Sequence, residues 1–205
     1  MLGAAKTYRV NEIFYSLQGE GYHVGTPAIF VRLAGCNLHC DFCDTEFEEY
    51  ERMTAEEIAR AASDYCPAVS NDIDPCPNPA TPSQQLSLLV LTGGEPALQV
   101  DDELLTALHQ AGFYVAIETN GTHPLPSAID WITCSPKERV RIEKADEVKV
   151  VYLGQNVEKW YSQIQAEHYF LQPCSMENTL ETIAYIKSHP HWRLSLQTQK
   201  YLDIK

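Results

Sequence analysis

The sequence has little positive charge. Its 205 residues include 15 Lys and Arg against 28 Asp and Glu, which gives a formal net charge of −13. Surfaces that gather nucleic-acid phosphates or anionic lipid head groups need charge of the opposite sign. We therefore expect no direct nucleic-acid partner and no membrane partner.

Long apolar runs are missing as well. No stretch approaches the roughly 18 consecutive apolar residues of a membrane span, and the first residues lack the basic segment and apolar run of an export signal. No fixed-period repeat is present, which excludes a solenoid. With 44% hydrophobic and 21% charged residues, the chain has the composition of one globular domain over residues 1–205, which we expect in the cytoplasm.

The seven cysteines do not resemble a secreted disulfide framework, because their number is odd and three of them are clustered. They lie at positions 36, 40, 43, 66, 76, 134 and 174. In a reducing compartment, close cysteines more often bind metal or carry out redox chemistry than form disulfides. The cluster at 36–43 is therefore a candidate metal site, and we interpret the other four as bystanders.

Apolar, strand-like segments alternate with helical patterns. Strands are predicted at residues 27–33, 86–92, 113–118, 131–134, 147–152, 168–172 and 192–197, and helices at 54–65, 101–110 and 175–188. This alternation predicts an α/β fold with parallel strands and crossover helices. Periodicity alone does not decide between an open sheet and a barrel. Residues 65–85 hold five of the twelve prolines and are interpreted as a loop insertion within the domain.

Polar and glycine-rich motifs follow the predicted strands. They occupy residues 36–43, 92–96, 118–121, 135–137 and 172–175. In open α/β sheets and in barrels alike, ligands bind at the carboxyl ends of the strands. The sequence therefore predicts one functional site at that rim.

The three clustered cysteines suit either an iron-sulfur cluster or zinc. A structural zinc site needs four closed ligands, and here the fourth would be His39, an aspartate or a remote cysteine. Three ligands on a four-iron cluster instead leave one iron open for a substrate or cofactor. We favour the iron-sulfur interpretation, with a zinc loop or packed thiols as the alternatives.

Two motifs together resemble the signature of the radical S-adenosylmethionine superfamily. Cys36, Cys40 and Cys43 have its Cys-x3-Cys-x2-Cys spacing, with the aromatic Phe42 before the last cysteine, and Thr-Gly-Gly-Glu-Pro at 92–96 resembles its glycine-rich strand end. The resemblance implies a partial (βα)6-type, TIM-like barrel of parallel strands with flanking helices. It also implies a 4Fe-4S cluster whose open iron chelates S-adenosylmethionine.

Flanking segments resemble one family of that superfamily, the 7-carboxy-7-deazaguanine synthases. They are residues 11–14, 17–21, 30–33, 43–45, 118–122, 135–137 and 197–200. The resemblance implies a carbon-nitrogen lyase that uses Mg²⁺ and converts 6-carboxy-5,6,7,8-tetrahydropterin to 7-carboxy-7-deazaguanine. Ammonia is lost, and the product leads to queuosine and related deazapurines.

The family resemblance also implies roles by position. Cluster ligands are Cys36, Cys40 and Cys43, and the Mg²⁺ ligand is Thr45, with Asp44 as its rival. Contacts to S-adenosylmethionine are Gly94, Ser135, Pro136 and Lys137. Substrate contacts are Leu17, Gln18, Gly19, Arg32, Thr92 and Glu118. The resemblance implies that Arg32 binds the substrate carboxylate, whose geometry the planar guanidinium group matches.

Partners and alternatives complete the expectations. The family implies a homodimer, a small pterin substrate and a reductant such as flavodoxin. The alternatives are another enzyme of the superfamily, such as a glycyl-radical activase, or a zinc-stabilised binding module without catalysis. The chain departs from the family pattern at Gln199, where many members have histidine in a Gln-Thr-His-Lys motif.

Overall fold

A computed structural model describes residues 5–43, 48–66 and 87–205. Thr45 and Asp44, the two candidate Mg²⁺ ligands, lie outside the described residues, as does most of the predicted 65–85 insertion. No helix in these three ranges is long and apolar enough to cross a membrane.

Within the described ranges the strands form one nine-stranded sheet in the order β3-β1-β2-β4-β5-β6-β7-β8-β9. The strands are β1 Tyr8–Leu17, β2 Pro27–Leu33, β3 Glu51–Met53, β4 Ser87–Gly93, β5 Phe113–Thr119, β6 Trp131–Cys134, β7 Glu147–Tyr152, β8 His168–Pro173 and β9 Arg193–Leu194. The run from β2 through β9 is parallel, whereas β1 is antiparallel to both of its neighbours. The sheet stays open between β3 and β9, which confirms the predicted α/β partial barrel.

Four of the five helices in the described ranges cover the outer face of this sheet, whereas the last one lies at the carboxyl ends of the strands. The five are α1 Ala55–Ser63, α2 Asp102–Gln110, α3 Glu158–Gln163, α4 Thr179–Ser188 and α5 Thr198–Leu202. The predicted capping box before α1 is confirmed, because the Glu57 amide donates to Thr54 Oγ1 at 3.2 Å and the Thr54 amide donates to Glu57 Oε2 at 2.8 Å. These paired bonds fix where the helix begins.

Alternating strand residues separate an outer core from an inner one. Outward residues such as Val31, Leu91 and Ile117 pack against α1 and α2 in the larger apolar cluster. Inward residues near the amino ends of the strands, among them Ala28 and Val90, form a smaller apolar cluster inside the barrel. The inward face turns polar toward the carboxyl ends, which places the site there.

Several predicted boundaries were wrong. The antiparallel strand β1 was not predicted, because its half-exposed residues lack a continuous apolar run. The last strand was predicted over 192–197 but ends at Leu194, after which the Ser195 side chain accepts a bond from the Gly21 amide at 3.0 Å. Helix α4 begins at Thr179 and not at the predicted Ser175, because Ser175 has a left-handed backbone (φ 47°) that no α-helix accommodates.

The crossover helices that the fold class predicts do not occur at every connection of the described chain. The connections over residues 120–130 and 135–146 contain no helix. Loop side chains cover the outer face there instead: Leu125 and Ile129 pack on the larger core, and Val140 and Ile142 pack on the cluster beneath β7 and β8.

Candidate active site

A cleft of about 780 Å³ opens at the carboxyl ends of the parallel strands. It is lined by nearly all of the predicted site residues: Leu17, Gln18, Gly19, Arg32, Cys36, Cys40, Cys43, Thr92, Gly94, Glu118, Ser135 and Lys137. Pro136 is buried and is not among the lining residues. The structure therefore brings together residues that are up to 120 positions apart in sequence, from Leu17 to Lys137.

The glycine-rich end of β4 supports the cysteine loop. The Gly94 amide donates to the Leu33 carbonyl at 3.0 Å, and the Glu95 amide donates to the Gly35 carbonyl at 2.9 Å. A Cβ atom on Gly94 would lie 2.1 Å from the Gly35 carbonyl oxygen, so only glycine permits this approach. The motif thus fixes the start of the loop that bears Cys36.

Side chains join the same region to the end of β5. The buried carboxylate of Glu95 accepts from Thr119 Oγ1 at 2.7 Å and from the Asn120 amide at 2.6 Å. Asn120 Nδ2 in turn donates to Asn37 Oδ1, within the cysteine loop, at 3.1 Å. The loop is therefore held from two neighbouring strand ends.

None of the three loop cysteines forms a disulfide with another described residue. The Leu38 amide donates to Cys36 Sγ at 3.4 Å, and the Cys43 amide donates to the Cys40 carbonyl at 3.0 Å. Burial raises the pKa of both Cys36 and Cys40 in the metal-free protein. In the described part of the chain, no three His, Cys, Asp or Glu side chains converge closely enough to hold a single metal ion.

This donor set fits a cluster better than a single ion. A four-iron cluster takes each thiolate at a different iron, so its ligands surround a larger centre than one ion does. Three soft sulfur donors in one loop, all on the wall of the cleft, match that requirement. Cys66, Cys134 and Cys174 are not in this loop, and Cys76 lies outside the described residues.

Arg32 forms the cationic wall of the cleft. Its strand register places it opposite Glu12 on β1 and Thr92 on β4. Arg32 Nε donates to Glu12 Oε1 at 2.9 Å, and the guanidinium lies 5.6 Å from the Phe14 ring centroid. The ammonium of Lys205 binds the other oxygen of Glu12. Burial opposes ionisation of Glu12, but the two cations lower its pKa below the ordinary value.

Glu118 lies on a different wall, on β5, in a largely buried charge cluster. Its two oxygens accept from Lys149 Nζ at 3.1 and 3.0 Å, and Glu20 Oε2 lies 2.8 Å from the same nitrogen. Burial raises the pKa of Glu118. Burial also disfavours ionised Glu20, but the nearby ammonium outweighs it and lowers the pKa of Glu20 to about 2.

The β6 end contributes a second cation. Lys137 Nζ donates to the Ser135 carbonyl at 2.8 Å and lies 5.9 Å from the Phe42 ring centroid. Burial lowers the pKa of Lys137. The lysine therefore lies between the cysteine loop and β6. The Ser135 amide donates a hydrogen bond to the Thr119 carbonyl at 2.7 Å, which holds this segment against β5.

The loop between β1 and β2 enters the barrel and meets the C-terminal segment. Thr198 Oγ1 donates to the Gly19 carbonyl at 2.8 Å. The side-chain amides of Gln197 and Gln199 both donate to Glu20 Oε1, at 3.0 and 3.1 Å. Gln199, where many members of the family that this sequence resembles have histidine, therefore contacts the loop that carries the predicted substrate contacts.

Sequence reasoning missed Glu12, Glu20 and Lys149. The sequence held a weak signal for Lys149. This lysine and Glu147 are the two charged residues of the mostly apolar strand Glu147–Tyr152, and they share one face of it. Glu20 was within a recognised motif, but only the fold shows which cation it meets.

These features define a class. An open α/β barrel whose first parallel strand leads into a three-thiol loop, beside a polar cleft at the strand ends, is the architecture of a radical S-adenosylmethionine enzyme. A search against models of protein families finds no match. Individual relatives, however, match over nearly the whole chain.

The 7-carboxy-7-deazaguanine synthase of Bacteroides thetaiotaomicron is 54% identical over 199 residues, which cover 96% of this chain and 98% of the relative. The synthase of Bordetella pertussis is 41% identical, covering 96% of this chain and 99% of the relative. The crystal structure of QueE from Escherichia coli superposes with a TM-score of 0.71 at 27% identity, covering 93% of each chain. The chain belongs to the 7-carboxy-7-deazaguanine synthase family and is a radical S-adenosylmethionine lyase.

Proposed function

We propose that the chain converts 6-carboxy-5,6,7,8-tetrahydropterin to 7-carboxy-7-deazaguanine with release of ammonia. The observation that carries the proposal is the pairing of opposite charges across one cleft: Arg32 on one wall and Glu118 on another, with the three thiols between the same strand ends. A ligand with a carboxylate at one end and N–H donors at the other is complementary to both walls.

Cys36, Cys40 and Cys43 would hold the 4Fe-4S cluster, and Gly94, Ser135, Pro136 and Lys137 would contact S-adenosylmethionine. When bound, the two groups together supply the carbon-centred radical that starts the reaction, which is the cofactors' own chemistry. Three thiols in one loop that is held from two strand ends support the first assignment. The ammonium of Lys137, at the cleft wall, supports the second, since it offsets a carboxylate.

The protein's own residues bind, orient and enclose the substrate. Arg32 and Thr92 are neighbours across β2 and β4, so together they offer a guanidinium and a hydroxyl to the substrate carboxylate. Gln18 donates to Glu118 Oε1 at 3.2 Å and presents its amide to the same cleft. Leu17, at the end of β1, and Gly19, on the loop, flank it. Gln197, Gln199 and Lys200 of the C-terminal segment line the site beside this loop.

We further propose that Thr45 binds Mg²⁺ through its hydroxyl, with substrate oxygens completing the shell. Its support is the sequence alone, where Cys-Asp-Thr at 43–45 follows the cluster loop directly. Oxygen donors and retained waters are what Mg²⁺ prefers.

The remaining proposals concern the protein's setting. We propose a single domain over residues 1–205, a homodimer, a flavodoxin-type reductant and a cytoplasmic location, with no direct nucleic-acid partner. None of the six cysteines in the described ranges is in a disulfide there, which supports a reducing compartment. Family membership supports the dimer and the need for a one-electron donor.

The test is a reaction under anaerobic conditions. Protein purified with its cluster is mixed with dithionite, S-adenosylmethionine, Mg²⁺ and the carboxy-tetrahydropterin, and the products are read by mass spectrometry. We expect the deazapurine acid and ammonia, with no product unless S-adenosylmethionine is present. Cleavage of S-adenosylmethionine without conversion of the pterin would overturn the substrate assignment and leave the enzyme class standing.

A further inference from the structure

The ammonium group of Lys149 lies inside the barrel beneath the cleft. Lys149, on β7, has a side chain only 4% exposed, and its nitrogen is within 3.1 Å of carboxylate oxygens from two other elements. Glu118 comes from β5 and Glu20 from the loop between β1 and β2. Lys149 therefore joins its own strand to two other segments that are distant in sequence.

The charges around this nitrogen are not balanced. Two carboxylates share one ammonium, and a third, Glu147, lies two residues away on the same face of β7. Glu147 Oε2 accepts from the Tyr22 amide at 2.9 Å, while its Oε1 is buried and has no hydrogen-bond partner among the described residues. The other cation whose charge acts on Glu118 is Lys137, beyond β6. Removing Lys149 would leave the carboxylates to repel one another.

Each partner of Lys149 belongs to the substrate-binding wall. Glu118 lines the cleft and accepts from Gln18, one of the predicted substrate contacts. Glu20 accepts from Gln197 and Gln199, which ties the C-terminal segment to the same loop. A single side chain thus fixes the acceptor wall, the loop and the tail relative to one another.

We propose that Lys149 is a positioning residue for substrate binding: it holds the Glu118 carboxylate, and through Glu20 the 18–20 loop and the tail, in the arrangement that receives the donor edge of the substrate. This rests on the proposed function. A carboxylate kept ionised accepts two N–H bonds, whereas a protonated acid offers a donor of its own and mismatches that edge.

The sign of the effect follows from the neighbours. Loss of the ammonium leaves Glu118 facing Glu20 and Glu147 without the cation that it contacts directly, so its pKa, already raised by burial, rises further. The variant should therefore bind substrate worst at low pH, and its KM should fall toward the wild-type value as pH rises. A merely structural role would not move the pH profile in this way.

The experiment compares Lys149→Met with the double variant Lys149→Met/Glu20→Gln, which restores the original net charge of the cluster. Lys159→Met is the matched control, because Lys159 is an exposed lysine on the outer helix α3. For each protein, the KM and kcat for the carboxy-tetrahydropterin are measured from about pH 6.5 to 9. Iron content and the KM for S-adenosylmethionine are measured beside them.

We expect Lys149→Met to raise the pterin KM by about tenfold or more at neutral pH, the loss of a charge-assisted hydrogen bond. The KM for S-adenosylmethionine and the iron content should stay near wild type, and the double variant should lose most of the pH dependence. If Lys149→Met does not fold, the test rests on the double variant. A folded double variant whose pterin KM varies little with pH supports the positioning role. An unchanged pterin KM, or equal losses for both ligands, overturns the positioning role. Failure of the wild-type protein to convert the pterin instead overturns the proposed function.

Discussion

The Cα atom of Gly94 lies against the carbonyl of Gly35, so closely that a Cβ at position 94 would be 2.1 Å from that oxygen. The contact joins the glycine-rich end of β4 to the residue that precedes Cys36. It gives the motif a structural role beside its proposed contact with S-adenosylmethionine, because only glycine lets the cluster loop approach this strand so closely.

Gly94→Ala should therefore displace the cysteine loop. We expect clearly less iron per chain and a loss of about 1–3 kcal/mol in the free energy of unfolding, as overpacked sites show. Iron analysis, visible absorption and denaturant melts measure both. Gly112→Ala is the control. It strains a backbone in the left-handed region (φ 85°), but its added Cβ meets no described atom within 4 Å, so it should lower stability and leave the iron content unchanged. Full iron in Gly94→Ala would contradict the structural role.

Cys40→Ala should abolish cluster binding, since a three-cysteine loop offers no spare thiolate. The purified variant should be nearly colourless, with at most traces of iron and sulfide, and should not cleave S-adenosylmethionine. Cys66→Ala removes a half-buried thiol outside the loop and should keep the cluster. If both variants lost iron equally, the assignment of the ligands would be wrong.

Arg32→Lys keeps the charge but loses the planar fork. We expect the KM for the carboxy-tetrahydropterin to rise by roughly 10- to 100-fold, because an ammonium does not reproduce a bidentate contact. The KM for S-adenosylmethionine should change little. Arg52→Lys, on the exposed strand β3, makes the same chemical change away from the cleft and should match wild type. Steady-state kinetics with each ligand varied in turn distinguishes the two.

Glu147 predicts a pH dependence of stability. Burial raises its pKa to about 7, well above the value of an unfolded glutamate. The native state therefore binds more protons than the unfolded state between about pH 4.5 and 7, and stability falls as pH rises through that window. Glu147→Gln should flatten this decline and stabilise the protein above pH 7 by about 3 kcal/mol at most. Urea melts at pH 5, 6, 7 and 8 measure the slope, and an unchanged slope would contradict the assignment.

Glu103→Gln provides the comparison for that series. Glu103 is exposed on α2, so its substitution should leave both the slope and the unfolding free energy within about 0.5 kcal/mol of wild type. A parallel change in both variants would trace the effect to net charge and not to burial.

The sequence predicted what local patterns encode. Cys36, Cys40 and Cys43 lie in one short loop, so their spacing can be read directly from the sequence. Arg32 lies on a short apolar strand just before that loop, and the alternation of side chains along a strand accounts for its inward position. Parallel strands bring their carboxyl ends together, so the sequence alone was enough to expect residues as distant as Thr92 and Glu118 in one cleft. Their roles in binding stay predictions until the kinetics are measured.

Long-range pairings were beyond that reasoning. Nothing near Glu20 indicates that it meets Lys149, 129 positions later, because the pairing depends on how the loop enters the barrel. Helix α4 shows the same limit at short range: Ser175 has the residue type of a cap, but the 3-10 turn at Cys174–Met176 takes precedence, and Asn178 Oδ1 accepts from the Cys174 amide at 2.8 Å. Local preference yields where tertiary contacts fix the backbone.

The hydrogen bond between Thr198 and Gly19 also has a consequence for folding during synthesis. Ribosomes deliver residue 19 early and residue 198 some 180 residues later, at about 5–20 residues per second. Until the late segment emerges, the Gly19 carbonyl lacks its bond from Thr198, and Glu20 lacks two of its donors, Gln197 and Gln199. A nascent chain can thus form the cysteine loop long before it can hold a pterin, which separates cluster loading from substrate competence in time.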